Sequence, residues 1–357
     1  MQREAFDAEL LARLVSIDSV SGAERAMSST LRAEYEKYAD EIVYDNLGSI
    51  YALKKSKTPA APRVMISGHM DESGMIVKKI LANGTVKGLI LGKLEPNSLL
   101  GARVQLVSRS TKKISGTVLA FDEENQAVDA KKEVMIDLGF TSEQEARAHE
   151  IQLGDRIALG GSMWSSSAGN RIFAKNLTGC YAPLLGIELL RELAESELDF
   201  DLYVGCSVQE QVGFRGIQTA TNAVAPDLGI MLDTNRAFDY QVKVQEKRGE
   251  LGKGMLLNFY DPTVLPNRLL LSTLKKICQD NQIPFQYYYS LEGSDAAWVN
   301  KLRTGTPTLF MNIPVRNLQT PTEVLDRRDY VAAKQALKIF VKELTPEKIQ
   351  AFKEENR

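Results

Sequence analysis

The chain is poor in the side chains that most often hold metals. It has two histidines, His69 and His149, and three cysteines, Cys180, Cys206 and Cys278. An odd number of widely spaced cysteines builds neither a disulfide framework nor a CxxC metal knuckle, so they read as buried reduced thiols of a cytoplasmic protein. Long apolar runs are missing too: Val64–Ile66 and Leu228–Leu232 are strand-length, far short of a membrane span. The opening MQREAFDAELLARL lacks the basic-then-apolar order of a signal peptide and reads as an amphipathic helix. No charge of one sign dominates: 44 Lys and Arg against 46 Asp and Glu give a net charge of −2. That excludes a bulk field drawing the chain to nucleic acid or to an anionic membrane. There is no internal repeat, low-complexity tract, Gly-rich phosphate loop or aromatic platform, which argues against a nucleotide- or sugar-binding module.

What is present suits a folded chain of 357 residues in two domains, with 44% hydrophobic residues for its cores. Apolar positions at helical spacing predict helices over 5–17 and 23–38, followed by short strands at Glu41–Tyr44, Ser49–Leu53 and Arg63–Ser67. From about residue 75 to 163 the pattern changes to β-branched runs broken by glycine: Thr85–Leu91, Arg103–Val107, Ile114–Ala120, Glu133–Asp137 and Arg156–Leu159. With one short helix at Ser142–His149, this is a compact β module. Beyond residue 170 helix and strand alternate again. An amphipathic helix is expected at Tyr181–Ala194, with strands at Phe200–Val208, Leu228–Asp233, Phe285–Ser290 and Thr308–Ile313. Helices are expected at Leu269–Asn281 and Arg328–Glu343, before a charged tail from Pro346 that is helical or frayed. The order implies an α/β domain of residues 1–74 plus 164–357, interrupted by a β insertion of residues 75–163.

Three fragments fall just past the carboxyl ends of strands, where α/β enzymes keep their chemistry. After Val64–Ile66 comes Gly68-His69-Met70-Asp71-Glu72-Ser73-Gly74. A histidine with an aspartate two residues on suits a metal-binding imidazole oriented by a carboxylate, and equally a histidine merely satisfied by its neighbour. After Tyr203–Val208 comes Gln209-Glu210-Gln211-Val212-Gly213, where Glu210 is either a general base or a turn carboxylate. Leu228–Leu232 ends in Asp233-Thr234-Asn235, another acid at a strand end that could also cap a turn.

Together with Gly293-Ser294-Asp295-Ala296 and Ile313-Pro314-Val315-Arg316, these fragments occur in an order that resembles the glutamyl and deblocking aminopeptidase family. That family includes the tetrahedral peptidase particles and proteins often labelled endoglucanase. The resemblance runs over most of the chain. It includes the insertion, where Lys132–Gly139 and Glu150–Asp155 look like the family's dimerisation domain. It implies a phosphorylase/peptidase-like α/β fold: a mixed sheet flanked by helices and interrupted by a small β-barrel-like dimerisation domain. It also implies two divalent ions, zinc or cobalt, sharing a bridging aspartate. The first ion takes the histidine of the HMDE-type motif and the aspartate ending the later strand. The second takes the second acid of a Q-E-E sequence and a late histidine, while the first acid of that pair is the general base. Carried over, His69 and Asp233 remain as metal ligands and Glu210 as the base, with Asp71 beside them. Gln211 and Gln319 stand where the other ligands are expected. The segment Lys175-Asn176-Leu177-Thr178-Gly179-Cys180, where a K-x-x-D-[DN]-R-x-G-C sequence should supply the bridging acid, has none.

Two divalent ions bring four positive charges, and one carboxylate and one imidazole do not balance them. Without bound metal, water keeps its ordinary acidity and Glu210 has little to deprotonate. The expectation is an aminopeptidase homologue with a dismantled metal site, inactive or strongly impaired, binding metal weakly or not at all. It would bind peptides or serve as a subunit of a homo-oligomer or of a mixed oligomer with an active homologue. His69 should be protonated among the acids, with Arg215 or Arg316 adding compensation. The alternative is an active zinc or cobalt aminopeptidase with a rebuilt, one-ion site that recruits Asp71, Asp295, Asp239 or Glu246.

Overall fold

The structure is a computed structural model describing residues 6–108, 112–120, 133–240 and 243–355. Residues 1–5 of the expected N-terminal helix, Lys132 and the last two residues of the tail lie outside the described residues.

A six-stranded mixed sheet carries the site. Its order is Glu41–Tyr44, Ile50–Lys54, Asp201–Ser207, Arg63–His69, Leu228–Met231 and Thr308–Phe310. The first two strands form an antiparallel hairpin at the edge, while the last four run parallel. The central strands are buried along almost their whole length, Arg63 and Asp201 at their starts excepted, because helices cover both faces. One face packs against the helices Ala8–Val15, Arg25–Tyr35 and Leu177–Glu192. The other packs against Arg215–Val224 and Ala296–Lys301.

Two expectations from periodicity are corrected here. The Leu177–Glu192 helix begins four residues earlier than expected and is buried on all sides, so it has no amphipathic stripe. Its start is fixed by Asn176, whose backbone is left-handed (φ 50°) and whose Oδ1 accepts the Gly179 N–H at 3.1 Å. The run Thr308–Ile313 is two strands, Thr308–Phe310 in the main sheet and Ile313–Val315 paired with Thr234–Arg236. A bend at Met311-Asn312 lets the chain leave one sheet for the other.

Between Gly74 and Leu159 six strands close into a barrel with its own apolar core. Gly74–Ile80, unrecognised in sequence because of its two lysines, is the barrel's first strand. The expected short helix is there at Glu143–Ala148, capped by Ser142, whose Oγ accepts the Glu145 N–H.

Candidate functional site

The three central parallel strands end side by side. In the ladder Ser207 is level with His69, and Met231 with Ser67. His69, Glu210 and Asp233 therefore emerge at one edge of the sheet. Close packing makes this possible. A Cβ at Gly68 would lie 2.3 Å from the Leu232 carbonyl, and one at Gly179 would lie 2.7 Å from the Asp71 carbonyl. Only glycine lets the neighbouring strand and helix approach so nearly.

The imidazole of His69 is buried. Its Nδ1 lies 3.0 Å from the backbone carbonyl of Asp71 and 3.7 Å from that residue's carboxylate. A carbonyl can only accept, so Nδ1 carries a proton and Nε2 points toward Asp233, 3.9 Å away. The orienting group is thus the Asp71 carbonyl, whereas the sequence suggested its carboxylate. That carboxylate is occupied elsewhere: it accepts the N–H of Glu210 at 3.0 Å, the N–H of Gln211 at 3.1 Å and the Ser21 hydroxyl at 2.5 Å. With left-handed Gln209 (φ 56°), these bonds shape the turn that carries Glu210.

Gln211 does not point free into the cavity. Its Nε2 donates to Glu210, and its Oε1 accepts the Ser73 hydroxyl at 2.6 Å. Gln319 lines the same cavity as His69. Its N–H donates to Glu323 at 2.9 Å. Glu323, which sequence reasoning missed, is buried and also accepts the Thr178 N–H at 3.1 Å. It ties together the two segments where a bridging acid and a late histidine were expected, leaving there a hydroxyl, Thr178, and an amide. The Thr178 hydroxyl in turn lies 2.9 Å from that of Thr234.

Charge at the site is unbalanced toward acid. Burial pushes the Glu210 carboxyl well above the usual range, against the pull of His69. Burial likewise raises Asp295 to about 7 and raises Asp233. For His69 burial works the other way, but Glu210, Asp71 and Asp233 together hold its pKa well above the ordinary value. Arginine gives no help here. Arg316 is committed to Asp239 in a two-point ion pair of 2.6 and 2.7 Å, and Arg215 sits exposed at the start of its helix. That pairing also removes Asp239 as a replacement ligand, and Glu246 lies exposed in a short 3-10 turn. Asp295 does reach the site. One of its oxygens accepts the Ser207 hydroxyl at 3.1 Å, and the other is buried without a hydrogen-bond partner among the described residues.

These residues do not fit a pair of divalent ions. Among the described residues no three His, Cys, Asp or Glu side chains form a group that could hold a metal. Around Gln211, Gln319 and Thr178, whose amides and hydroxyl are poor donors for zinc, the carboxylates of Asp71, Glu72 and Glu323 are already engaged in hydrogen bonds to other groups. The cavity over them measures about 280 Å³, at the small end of ligand sites. Its lining also includes Lys93, Arg236, Arg248, Tyr288 and Glu292.

Comparison with known proteins agrees with this architecture. The family model described as M42 glutamyl aminopeptidase matches residues 48–336. The chain belongs to that family. It is 29% identical to the glutamyl aminopeptidase of Lactococcus lactis subsp. cremoris over 95% of this chain and 97% of that protein. It is 28% identical to the lysyl aminopeptidase of Pyrococcus furiosus, over 95% and 98% respectively. Among solved structures, the TET aminopeptidase of a marine sediment archaeon, Thaumarchaeota archaeon SCGC AB-539-E09, superposes with a TM-score of 0.90 at 29% identity, covering 96% of this chain and 98% of that one. Among the described residues no helix is long and apolar enough to cross a membrane.

Proposed function

We propose that this M42 homologue binds the free amino end of peptides in the cavity above His69, and that its peptide hydrolysis is impaired by several orders of magnitude. The observation that carries this reading is the fate of Gln211. Where the family pattern wants a metal-binding carboxylate, a neutral amide is hydrogen-bonded into a chain from Ser73 to Glu210. Glu210, Asp233 and Asp295 face one another with only the His69 imidazolium between them, an acid excess that suits a ligand ammonium. In this reading Glu210 and Asp71 are the remnants of the catalytic apparatus, and His69 and Asp233 those of the first metal position. The barrel, residues 75–163, is a separate dimerisation domain. The chain works as a homo-oligomer or beside an active homologue in the cytoplasm, where its three buried thiols stay reduced.

Turnover of aminoacyl anilides tests it. Protein incubated with excess zinc or cobalt and then desalted should cleave a panel of these substrates at rates several orders of magnitude below those of family members. Rates comparable to theirs would overturn the reading.

A second reading has one observation in its favour, the unpartnered oxygen of Asp295. With His69 and Asp233, drawn closer together than they stand in this structure, it would give one ion three protein donors, the number a catalytic zinc site needs. Under that reading the desalted protein retains one zinc per chain, and Asp295→Asn abolishes the retention. Under the first, neither protein retains zinc.

A further inference from the structure

A second groove, of about 680 Å³, runs between the barrel and the N-terminal helices and shares no lining residue with the cavity above His69. Its volume suits a small molecule, and such sites form preferentially where two packed units meet. The walls are mainly apolar: Ile17, Val20, Ala23 and Ala26 on one side, Val107 and Ala158 from the barrel on the other. The charges around them are unevenly committed. Asp18 takes Lys113 at 3.1 Å and buried Lys175 at 2.8 Å, and the Asp155 carboxylate accepts the Gln152 N–H at 2.9 Å. The two arginines of the groove, Arg25 and Arg156, have no carboxylate partner among the described residues. Arg156 is nevertheless fixed in place, its Nε donating to the Ser21 carbonyl at 3.1 Å and its Nη1 to the Gly154 carbonyl at 2.6 Å. Its Nη2 has no acceptor among the described residues and lies 3.0 Å from where a Cβ on Gly22 would stand. A guanidinium held by neutral carbonyls keeps its whole charge and is already oriented for an anion.

The groove also touches the support of the Glu210 turn. Gly22 and Ala23 line it, and the residues on either side of them reach the catalytic remnants. The Ser21 hydroxyl donates to the Asp71 carboxylate at 2.5 Å, and that carboxylate accepts the N–H groups of Glu210 and Gln211. Buried Glu24 accepts the Gly22 N–H at 2.8 Å and the Gln209 N–H at 3.0 Å. Residues 21–24 thus form a wall of the groove and, through two carboxylates, hold three consecutive amides of the turn.

We propose that this groove is a second ligand site, for a small molecule with an apolar body and one carboxylate, and that its occupation is transmitted to the turn carrying Glu210. Burial of the body against the apolar walls drives binding, and Arg156 and Arg25 select the charge. Neither the groove nor its ligand depends on what binds above His69.

Calorimetric titration of the full-length protein with four probes tests the site: octanoate, octanamide, acetate and octylammonium. Octanoate should bind at least about tenfold more tightly than each of the others, and its advantage over octanamide should shrink as salt is raised. Arg156→Gln should bring octanoate to within about twofold of octanamide. Arg25→Gln, at an exposed side chain with no partner to lose, should weaken octanoate by a smaller factor. Ala26→Trp, which places an indole in the groove, should abolish binding with both arginines intact. Thermal melting verifies the fold of each variant. Transmission is read from backbone amide resonances. Those of Gln209, Glu210 and Gln211 should shift with the same saturation as the calorimetric binding, while those of the Arg268–Asp280 helix stay in place. No binding of octanoate, equal or tighter binding of octanamide or octylammonium, or binding indifferent to all three variants overturns the proposal. So does saturation of the groove that leaves the three amides unmoved.

Discussion

Two buried charge clusters meet on either side of residues 69–72, and they are built on different terms. In one, the Lys175 ammonium lies 2.8 Å from Asp18 and 3.1 Å from Glu72, with all three side chains at most 9% exposed. Glu72 also accepts the Ser19 N–H at 2.9 Å. Every charge there has an opposite partner and a hydrogen bond, which a buried ion pair requires. In the other, Glu210, Asp233 and Asp295 share a single imidazole and one Asp295 oxygen is unpartnered, while burial raises their carboxyl pKa values as it does that of Glu72. The first cluster is complete as it stands and holds the fold. The second becomes complete only when something positive enters, and such incompleteness marks a binding site.

The contrast can be broken most severely from the complete side. Lys175→Met leaves buried Glu72 without a cation and Asp18 with only the exposed Lys113, 3.1 Å away, and should cost about 3–5 kcal/mol of stability in urea unfolding. A cost below about 1 kcal/mol would mean that the cluster is not the structural element described. On the incomplete side the sign reverses. Asp295→Asn removes one of several crowded acids and should stabilise the ligand-free protein by on the order of 1 kcal/mol, read from the same unfolding curve. A loss of stability would show that the acids there are already balanced.

A buried acid outside both clusters sharpens the comparison through pH. Asp329 has no cation beside it in the fashion of Lys175, and its oxygens accept the Gly252 and Gly254 N–H groups at 2.7 and 2.6 Å. Burial pushes its pKa from 3.8 to about 7 despite those bonds. The folded state therefore binds this proton more tightly than the unfolded chain. Its contribution is present in full below about pH 4 and is lost as pH rises through about 7. Stability should fall across that window, and Asp329→Asn should flatten the slope, as measured by unfolding free energy at several pH values. The smallest effect belongs to Ser73→Ala. Removing the hydroxyl that fixes Gln211 should cost about 1 kcal/mol and free the amide to reorient, visible in the side-chain amide resonances of Gln211.

The fold was legible wherever one physical signal acted alone. Central strands such as Arg63–His69 are buried beyond their first residue because both their faces are covered, and the apolar run Val64–Ile66 marks this one. The helix Arg215–Val224 was not recognised, since its exposed face of Gln, Thr and Asn reads as loop. The Leu177–Glu192 helix was mislocated because its start is set by one left-handed asparagine rather than by periodicity. At the site, His69, Glu210 and Asp233 could be read from their positions at strand ends. Glu323 and Ser73 could not. Each acts through partners 20 to 145 residues away, as the Ser73–Lys93 and Thr178–Glu323 bonds illustrate. The resemblance points to missing ligands, whereas the bonding of Gln211 to Ser73 and Glu210 and the pairing of Arg316 with Asp239 are set by the fold.

The direct test is the number of zinc ions per chain after equilibration with excess zinc and desalting, with ion positions located by diffraction at the zinc absorption edge. The account predicts well under one ion per chain and no paired peaks beside His69. Two ions held between His69, Asp233 and Gln211 would contradict it.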